Sequence, residues 1–579
     1  MTLRASKTEK SPTFGLYKAT LSKNIGSIIL LSVAMLIYCP GFFVASLSQI
    51  TFRASDYNSP DALSALYGVS VTLSCILVCV GNYVNFSYLY KKSSSDVFHA
   101  LPLTRSSLLI SRAAACFTGL LIPLTIGYTA LVCLTVPYPT YAIGTIAQIA
   151  SAYLVNVLMM AAFSAFSLIF IVCAGSGFDL AVSFFGFNVA VLAVGGIIDS
   201  LCESYLSGYS MQSELFLRTL SPIYYLAERS VMFANNDYAL SESVGLIFDI
   251  IKYTVVFAII SPLLYRFRKA ERGEQAYAYK FIYVICGVLA GICGGYALSE
   301  IFIFAVGQKE YSVIGFVAFV AGALITTVVY GAVTDRGFKG FKRSMIIGGG
   351  SAVVYGIIAV IIVSGAFGFE NRIPAADKVT AATVVFDDTT VDFTDAKCVI
   401  DLHKAIIEKD ADDDFDDTVD TPHTYVTIDY NLSGKGNVGN GDMLRQYFVD
   451  KTKLKDELFA VYASDNRFEK IEKELNAANG KIDIWGDYSE GEDSFTLDGT
   501  LSRANAKRII EVYKKELRAV GKEIFSEKSQ TGIVASFNLY IDNTSDSYSL
   551  DYYTTADFTE TNKLLSEYIA SDEKEMILQ

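Results

Sequence analysis

Charge is what this sequence has least of. Only 18% of its 579 residues are Asp, Glu, Lys or Arg, against roughly 25% in an ordinary soluble domain. Histidine occurs three times and tryptophan once. No GxxxxGK[ST] loop is present, so no phosphate cradle of that kind is encoded, and Gly434-Lys435-Gly436 has the wrong spacing for one. No HExxH sets two histidines on one helix face, no CxxC occurs, and no GxSxG elbow presents a serine. His403 and His423 form no metal spacing with cysteine, so both are expected at the surface. With these motifs missing, the chain is expected not to be an enzyme and to carry no catalytic residues, metal or cofactor of its own. A net charge of −13 also argues against nucleic acid as a partner, because phosphate binding needs a basic surface.

The charge that exists is unevenly placed. Residues 371–579 hold 24 basic and 42 acidic residues, whereas residues 1–370 hold 23 basic and 18 acidic. Such a division marks two environments. Eight of the ten cysteines (Cys39, Cys75, Cys79, Cys116, Cys133, Cys173, Cys286 and Cys293) lie in apolar runs and read as small apolar residues. Cys202 and Cys398 lie outside those runs, and whether they pair is left open, since sequence does not show proximity. The acidic run Asp410–Asp417 fails the calcium-loop pattern. Counted from Asp410, Phe415 stands where Gly is needed and Thr421 where Glu is needed, so a solvated loop is expected.

What the chain has in abundance is long apolar runs. A spanning helix needs ~20 mostly apolar residues. Nine runs qualify, at 25–47, 66–90, 108–136, 143–174, 178–198, 244–265, 281–305, 313–333 and 345–368. The fourth and fifth are separated only by Ala174-Gly175-Ser176-Gly177, so one broken re-entrant segment and eight spans is the alternative. Cytoplasmic loops are enriched in Lys and Arg. With the N terminus inside and nine spans, the inner segments hold 17 basic residues and the outer loops 4. That places residues 371–579 outside, and an uncleaved signal anchor is expected at the first run. The expected organisation has four parts. Residues 1–24 are a cytoplasmic N terminus with an interfacial helix near 14–21. Residues 25–265 form a six-span membrane domain, 266–370 add three further transmembrane helices, and 371–579 are an acidic extracytoplasmic domain. The fold class is thus an α-helical polytopic membrane protein followed by a soluble α/β (α+β) domain.

Within 371–579, strands are expected at Ala382–Phe386, Tyr425–Tyr430, Ile533–Ile541 and Ser547–Tyr553, where apolar and polar residues alternate. Helices are expected near 394–409, 441–478 in pieces, 502–522 and 558–570, with Ser502 as an N-cap. A hairpin over 425–449 is the alternative to helix there. No sequence repeat stands out.

The loop after the second run, Lys91–Arg105, carries Ser95-Asp96-Val97-Phe98-His99-Ala100-Leu101-Pro102-Leu103-Thr104-Arg105. Ser95 is placed to cap a short helix that Pro102 ends, which gathers Val97, Phe98 and Leu101 into one apolar face outside the bilayer. An exposed apolar face needs a partner, and the alternative is that it packs on the inner leaflet or on its own helix ends. The order of elements and this phrase resemble the permease subunits of type-2 ABC exporters, over about residues 12–265. The resemblance implies that this loop is a coupling helix docking on a separate ABC ATPase. Asp96, Val97, Phe98, His99, Leu101, Pro102 and Arg105 then become the coupling residues. It also implies ATP and Mg in that partner, a second permease subunit, and outer re-entrant elements within the polar loop 199–243. The location implied is the bacterial cell membrane. The three extra spans and the acidic domain depart from the six-span pattern and match a long form of such permeases.

Ionisable residues inside spans are functional candidates by default. Asp249 and Lys252 stand three apart on one helical face, and Glu300 lies near the outer end of the seventh run, so these three are candidates for a translocation path; the alternatives are that Asp249 and Lys252 neutralise each other, that Lys252 snorkels to the outer surface and that Glu300 is an interfacial residue. Asn82, Asn85 and Asn156 read as helix–helix hydrogen-bond partners. The apolar spans favour an amphipathic, peptide-antibiotic or lipid-like cargo. The rival reading is a membrane-anchored envelope sensor or resistance protein whose outer domain binds a peptide or cell-envelope ligand.

Overall fold

Hydrocarbon offers backbone groups no water, so a spanning segment must satisfy them within itself, as a helix does. In the computed structural model, nine helices among the described residues are long and apolar enough to cross a bilayer, which is consistent with a multi-pass membrane protein. The structure describes residues 12–52, 59–137, 144–210, 221–236, 238–241, 243–269, 277–306, 313–387, 389–409, 423–432, 443–477, 482–490, 493–526, 529, 532–541 and 548–569. The acidic run 410–417, the turn 434–436 and the stretch 211–220 of the polar loop lie outside the described residues. The chain divides into two units, residues 1–198 with 215–357, and residues 199–214 with 358–579.

The first unit opens with α1 (Pro12–Lys23), α2 (Ile25–Phe52), α3 (Ser59–Phe86), α4 (Lys92–His99), α5 (Arg105–Thr135) and α6 (Ile146–Cys173). It continues through α7 (Gly177–Tyr205), α8 (Pro222–Asn235), α9 (Val244–Phe267), α10 (Lys280–Val306), α11 (Val313–Thr334) and α12 (Phe341–Val363). Helices α6 and α7 are separate and each exceeds spanning length, as the nine-run reading expects. The segment before the first span is helical, as α1. Helix α6 is the most buried of the long helices and packs on α3, α5 and α9. Its polar residues face partners. Asn82 on α3 donates to the hydroxyls of Ser164 at 3.1 Å and Ser167 at 3.0 Å. Asn156 donates to Ser70 Oγ and accepts from Ser74 Oγ, both at 2.7 Å. Asn24, at the break between α1 and α2, donates to Asn85 Oδ1 at 3.3 Å. The expected helix–helix role of the three asparagines is what the structure contains.

The second unit repeats one topology twice. The first pass is β1 (Val379–Phe386), β2 (Thr389–Phe393), α13 (Lys397–Lys409), β3 (His423–Leu432) and β4 (Met443–Asp450), followed by α14 (Lys455–Tyr462) and α15 (Asp465–Ala477). The second is β5 (Ile482–Glu490), β6 (Asp493–Leu501), α16 (Arg503–Val520), β7 (Ile533–Ile541), β8 (Tyr548–Thr555) and α17 (Thr559–Leu565). The two antiparallel sheets run β2-β1-β3-β4 and β6-β5-β7-β8, the same order in each half. The unit is therefore a tandem ββαββα arrangement that no sequence repeat announced. One continuous apolar cluster draws Val384, Ile428 and Val449 from the first sheet, Ile484, Leu497 and Leu539 from the second, and Leu402, Leu458, Ile471 and Ile510 from the helices.

Several expectations need correcting. Residues 443–450 are strand, not the start of a helix, and pair with β3 as the hairpin alternative had it. Met, Leu, Arg and Gln favour helix, but the alternation of Arg445, Tyr447 and Val449 into the buried side decides for strand. Strands β2, β5 and β6 were not expected. Gly486 and Gly499 and the many aspartates lower strand propensity there, and cross-strand pairing overrides it. Ser502 does cap α16, accepting from Asn505 N at 3.2 Å. His403 is not a surface residue, as it is fully buried on α13. Cys202 and Cys398 are both free thiols, so they do not pair.

Candidate functional site

The loop singled out in the sequence folds as α4, preceded by a 3-10 turn at Ser87–Tyr90. Ser95 is not its cap. The capping position lies four residues earlier, at Lys91 in extended conformation, and Ser95 is buried inside the helix. Its hydroxyl lies 3.3 Å from His99 Nδ1. The expected apolar face is divided by the fold. Phe98 turns inward, its ring centroid 4.3 Å from that of Tyr88. Val97, 67% exposed, and Leu101, 38% exposed, remain at the surface. Asp96 and Pro102 are also exposed.

A cationic and aromatic brace holds α4 against the ends of α3, α5 and α9. The Arg112 guanidinium on α5 stands 4.1 Å from the Phe98 ring centre and 4.5 Å from that of Tyr88, in the geometry of cation–π attraction. It also donates to the Asn85 carbonyl at 2.6 Å. His99 Nε2 lies 3.1 Å from the Tyr265 hydroxyl, which lies 3.0 Å from the Tyr88 hydroxyl. Burial pushes the His99 imidazole below its ordinary pKa, and the Arg105 and Arg268 charges push the same way against Asp96. A neutral ring at pH 7 suits its place between two hydroxyls. Arg105 donates to the Arg268 carbonyl. Arg268 is buried and donates to the carbonyls of Ile171 at 3.1 Å, Val172 at 2.6 Å and Leu89 at 3.0 Å. Those carbonyls belong to the C-terminal end of α6 and the turn after α3, where a cation complements the helix dipole.

Two of the three path candidates meet. Asp249 and Lys252 on α9 form an ion pair at 2.7 Å, with Lys252 more than half exposed, and the Tyr225 hydroxyl of α8 donates to Asp249. Glu300 lies half-buried on α10. Sequence reasoning missed Asp179, which is buried in the first turn of α7 and bonded to the Ser176 hydroxyl. Its signal was a serine three residues before an acid at the start of an apolar run, a helix-capping pattern. Arg112 and Arg268 were also missed as structural cations. Two apolar cavities lie among the long helices. One of about 260 Å³ is lined by Met35, Tyr38, Leu73, Leu77 and Leu124, and one of about 310 Å³ by Cys79, Tyr83, Ile171, Phe184 and Phe185. Among the described residues no group of three or more His, Cys, Asp or Glu side chains is arranged to hold a metal ion.

No protein-family model, no curated protein and no solved structure matches this chain.

Proposed function

We propose that this chain is the membrane-spanning permease subunit of an ATP-driven ABC exporter. It is moved by a separate ATPase and handles an amphipathic, peptide-antibiotic or lipid-like cargo. The observation that carries the proposal is α4. It joins two apolar helices of spanning length and is braced on its inner side by Phe98, His99 and Arg112, yet it leaves Val97 and Leu101 at the surface beside Lys91 and Lys92. A short helix fixed to three long ones and apolar on its free side is suited to receive a push from a partner and pass it to the bundle. The two apolar cavities favour a cargo with hydrocarbon character. In the proposed orientation the N terminus and α4 face the cytoplasm and residues 371–579 face outward, following the basic residues of the short loops. ATP and Mg belong to the partner, and a second permease subunit completes the transporter.

Co-expression with the ATPase tests this directly. The double substitution V97D/L101D should abolish co-purification of the ATPase and leave membrane insertion and detergent stability unchanged, because neither side chain belongs to the brace. Retained co-purification would remove α4 as the docking element and favour the envelope-sensor reading.

A further inference from the structure

On the second sheet, among the described residues, β5 and β6 carry exposed side chains at Trp485, Asp487, Thr496 and Asp498 on the face away from the apolar cluster, while Asn538 beside them on β7 is buried. Strand alternation sends Ile484, Leu497, Phe537 and Leu539 into the apolar cluster, where Tyr513 of α16 packs on Phe537 at 6.2 Å between ring centres. The same alternation turns Asp483, Trp485 and Asp487 of β5 to the opposite face. Trp485 is 55% exposed although β5 is an interior strand of the sheet. It is the only tryptophan in the chain. Asp498 on β6 is its direct cross-strand partner, and Asp487 is paired with Thr496. Asp483 is held by the Thr500 hydroxyl at 2.7 Å.

The charge on this sheet has one sign. The strands β5, β6, β7 and β8 contain no Lys, Arg or His. Most cations of this half, among them Arg503, Lys507, Lys514 and Arg518, ride on α16, which packs on the other face. The backbone under Trp485 is also specialised. Gly486 has φ +154, and a Cβ there would run into the Ser536 carbonyl of β7. Only glycine allows that close approach, which holds the strand fixed between Trp485 and Asp487.

We propose that this face binds a cationic, amphipathic peptide. A bare indole is best covered by apolar atoms or by a cation over its ring. Carboxylates two residues away on either side, and one directly opposite, lie within reach of the same cation. An anionic partner is repelled by all three carboxylates, and a purely apolar one leaves them desolvated without a counter-charge. A peptide with alternating basic and aliphatic residues satisfies both requirements. The proposal goes beyond the permease reading and does not depend on it, since no ATPase takes part.

The single tryptophan makes the test direct. The full-length protein is placed in nanodiscs of phosphatidylcholine, and tryptophan emission is followed while an acetylated Lys-Leu-Lys-Leu-Lys-Leu peptide is added. A saturable blue shift is expected, weakening between about 20 mM and about 300 mM salt as screening grows. The acidic Glu-Leu counterpart and a neutral chitotetraose should give none. D483N/D487N/D498N should bind about tenfold more weakly, with its thermal unfolding midpoint unchanged. A labelled peptide followed by anisotropy should lose affinity for W485A to a similar degree, and this supplies the test if the triple variant does not fold. The proposal is overturned by no shift with the basic peptide, or by equal response to the acidic one. A response to the saccharide alone, or undiminished affinity in the variant that folds, overturns it too.

Discussion

His403 shows how far a single residue can depart from what its neighbours in sequence suggest. It is 0% exposed, and its ring nitrogens lie 3.1 Å from the Tyr430 hydroxyl and 2.7 Å from the Tyr447 hydroxyl. Burial pushes its pKa down to about 4, with the Arg445 charge acting in the same direction. In the unfolded chain a histidine titrates near 6.5. Below that pH the unfolded state takes up a proton that the folded state refuses, so stability falls as pH drops from about 6.5 toward about 4 and is insensitive to this group above 6.5. Each pH unit inside the window costs up to about 1.4 kcal/mol. The unfolding midpoint of this unit, followed by Trp485 emission, should therefore fall between pH 6.5 and 5. His403→Phe should start lower, because the Tyr430 and Tyr447 hydroxyls each lose their bond to the ring, and show a flatter slope across the same interval. The burial was legible in principle. Val399, Leu402, His403 and Ile406 recur at helical spacing on one face of α13, and all four are buried.

Among the elements, the α10–α11 pair depends most on the absence of side chains. Gly322 on α11 faces Gly294 and Gly295 on α10. A Cβ at Gly322 would sit 2.6 Å from the Gly294 carbonyl oxygen and 2.7 Å from Leu298 Cβ. Without a hydrophobic drive between helices in lipid, small residues that let backbones approach are what hold such a pair together. Gly322→Val should cost about 1–3 kcal/mol by overpacking, read as a lower detergent melting temperature. Gly186→Val on α7, with nothing within 4 Å of its Cβ position, should leave the melting temperature nearly unchanged. The elements also mark where sequence patterns stop being decisive. The nine apolar runs were readable because hydrocarbon demands ~20 consecutive apolar residues, and their helices are present. The start of α4 was misplaced by four residues, because a serine that looks like a cap is instead buried beside His99. Residues 443–450 carry helix-favouring side chains and became strand because β3 was there to pair with.

For the whole molecule, the proposed orientation has a direct test. A cysteine introduced at Ser93 should react with a membrane-impermeant maleimide only after cells are opened. One introduced at Thr496 should react in intact cells, with the wild-type chain as the background. Reversed accessibility would invert the topology and with it the docking role of α4. The membrane character, the number of long helices, the presence of a second acidic unit and the short helix after the second run were all determined by composition and periodicity alone, because solvent chemistry acts on each segment independently of the others. Tertiary structure alone decided the doubled ββαββα arrangement, the brace of Arg112 and Arg268 around α4, the burial of His403 and the open face around Trp485. These depend on contacts between residues tens to hundreds of positions apart, and nothing local in the chain encodes which distant partner will be met.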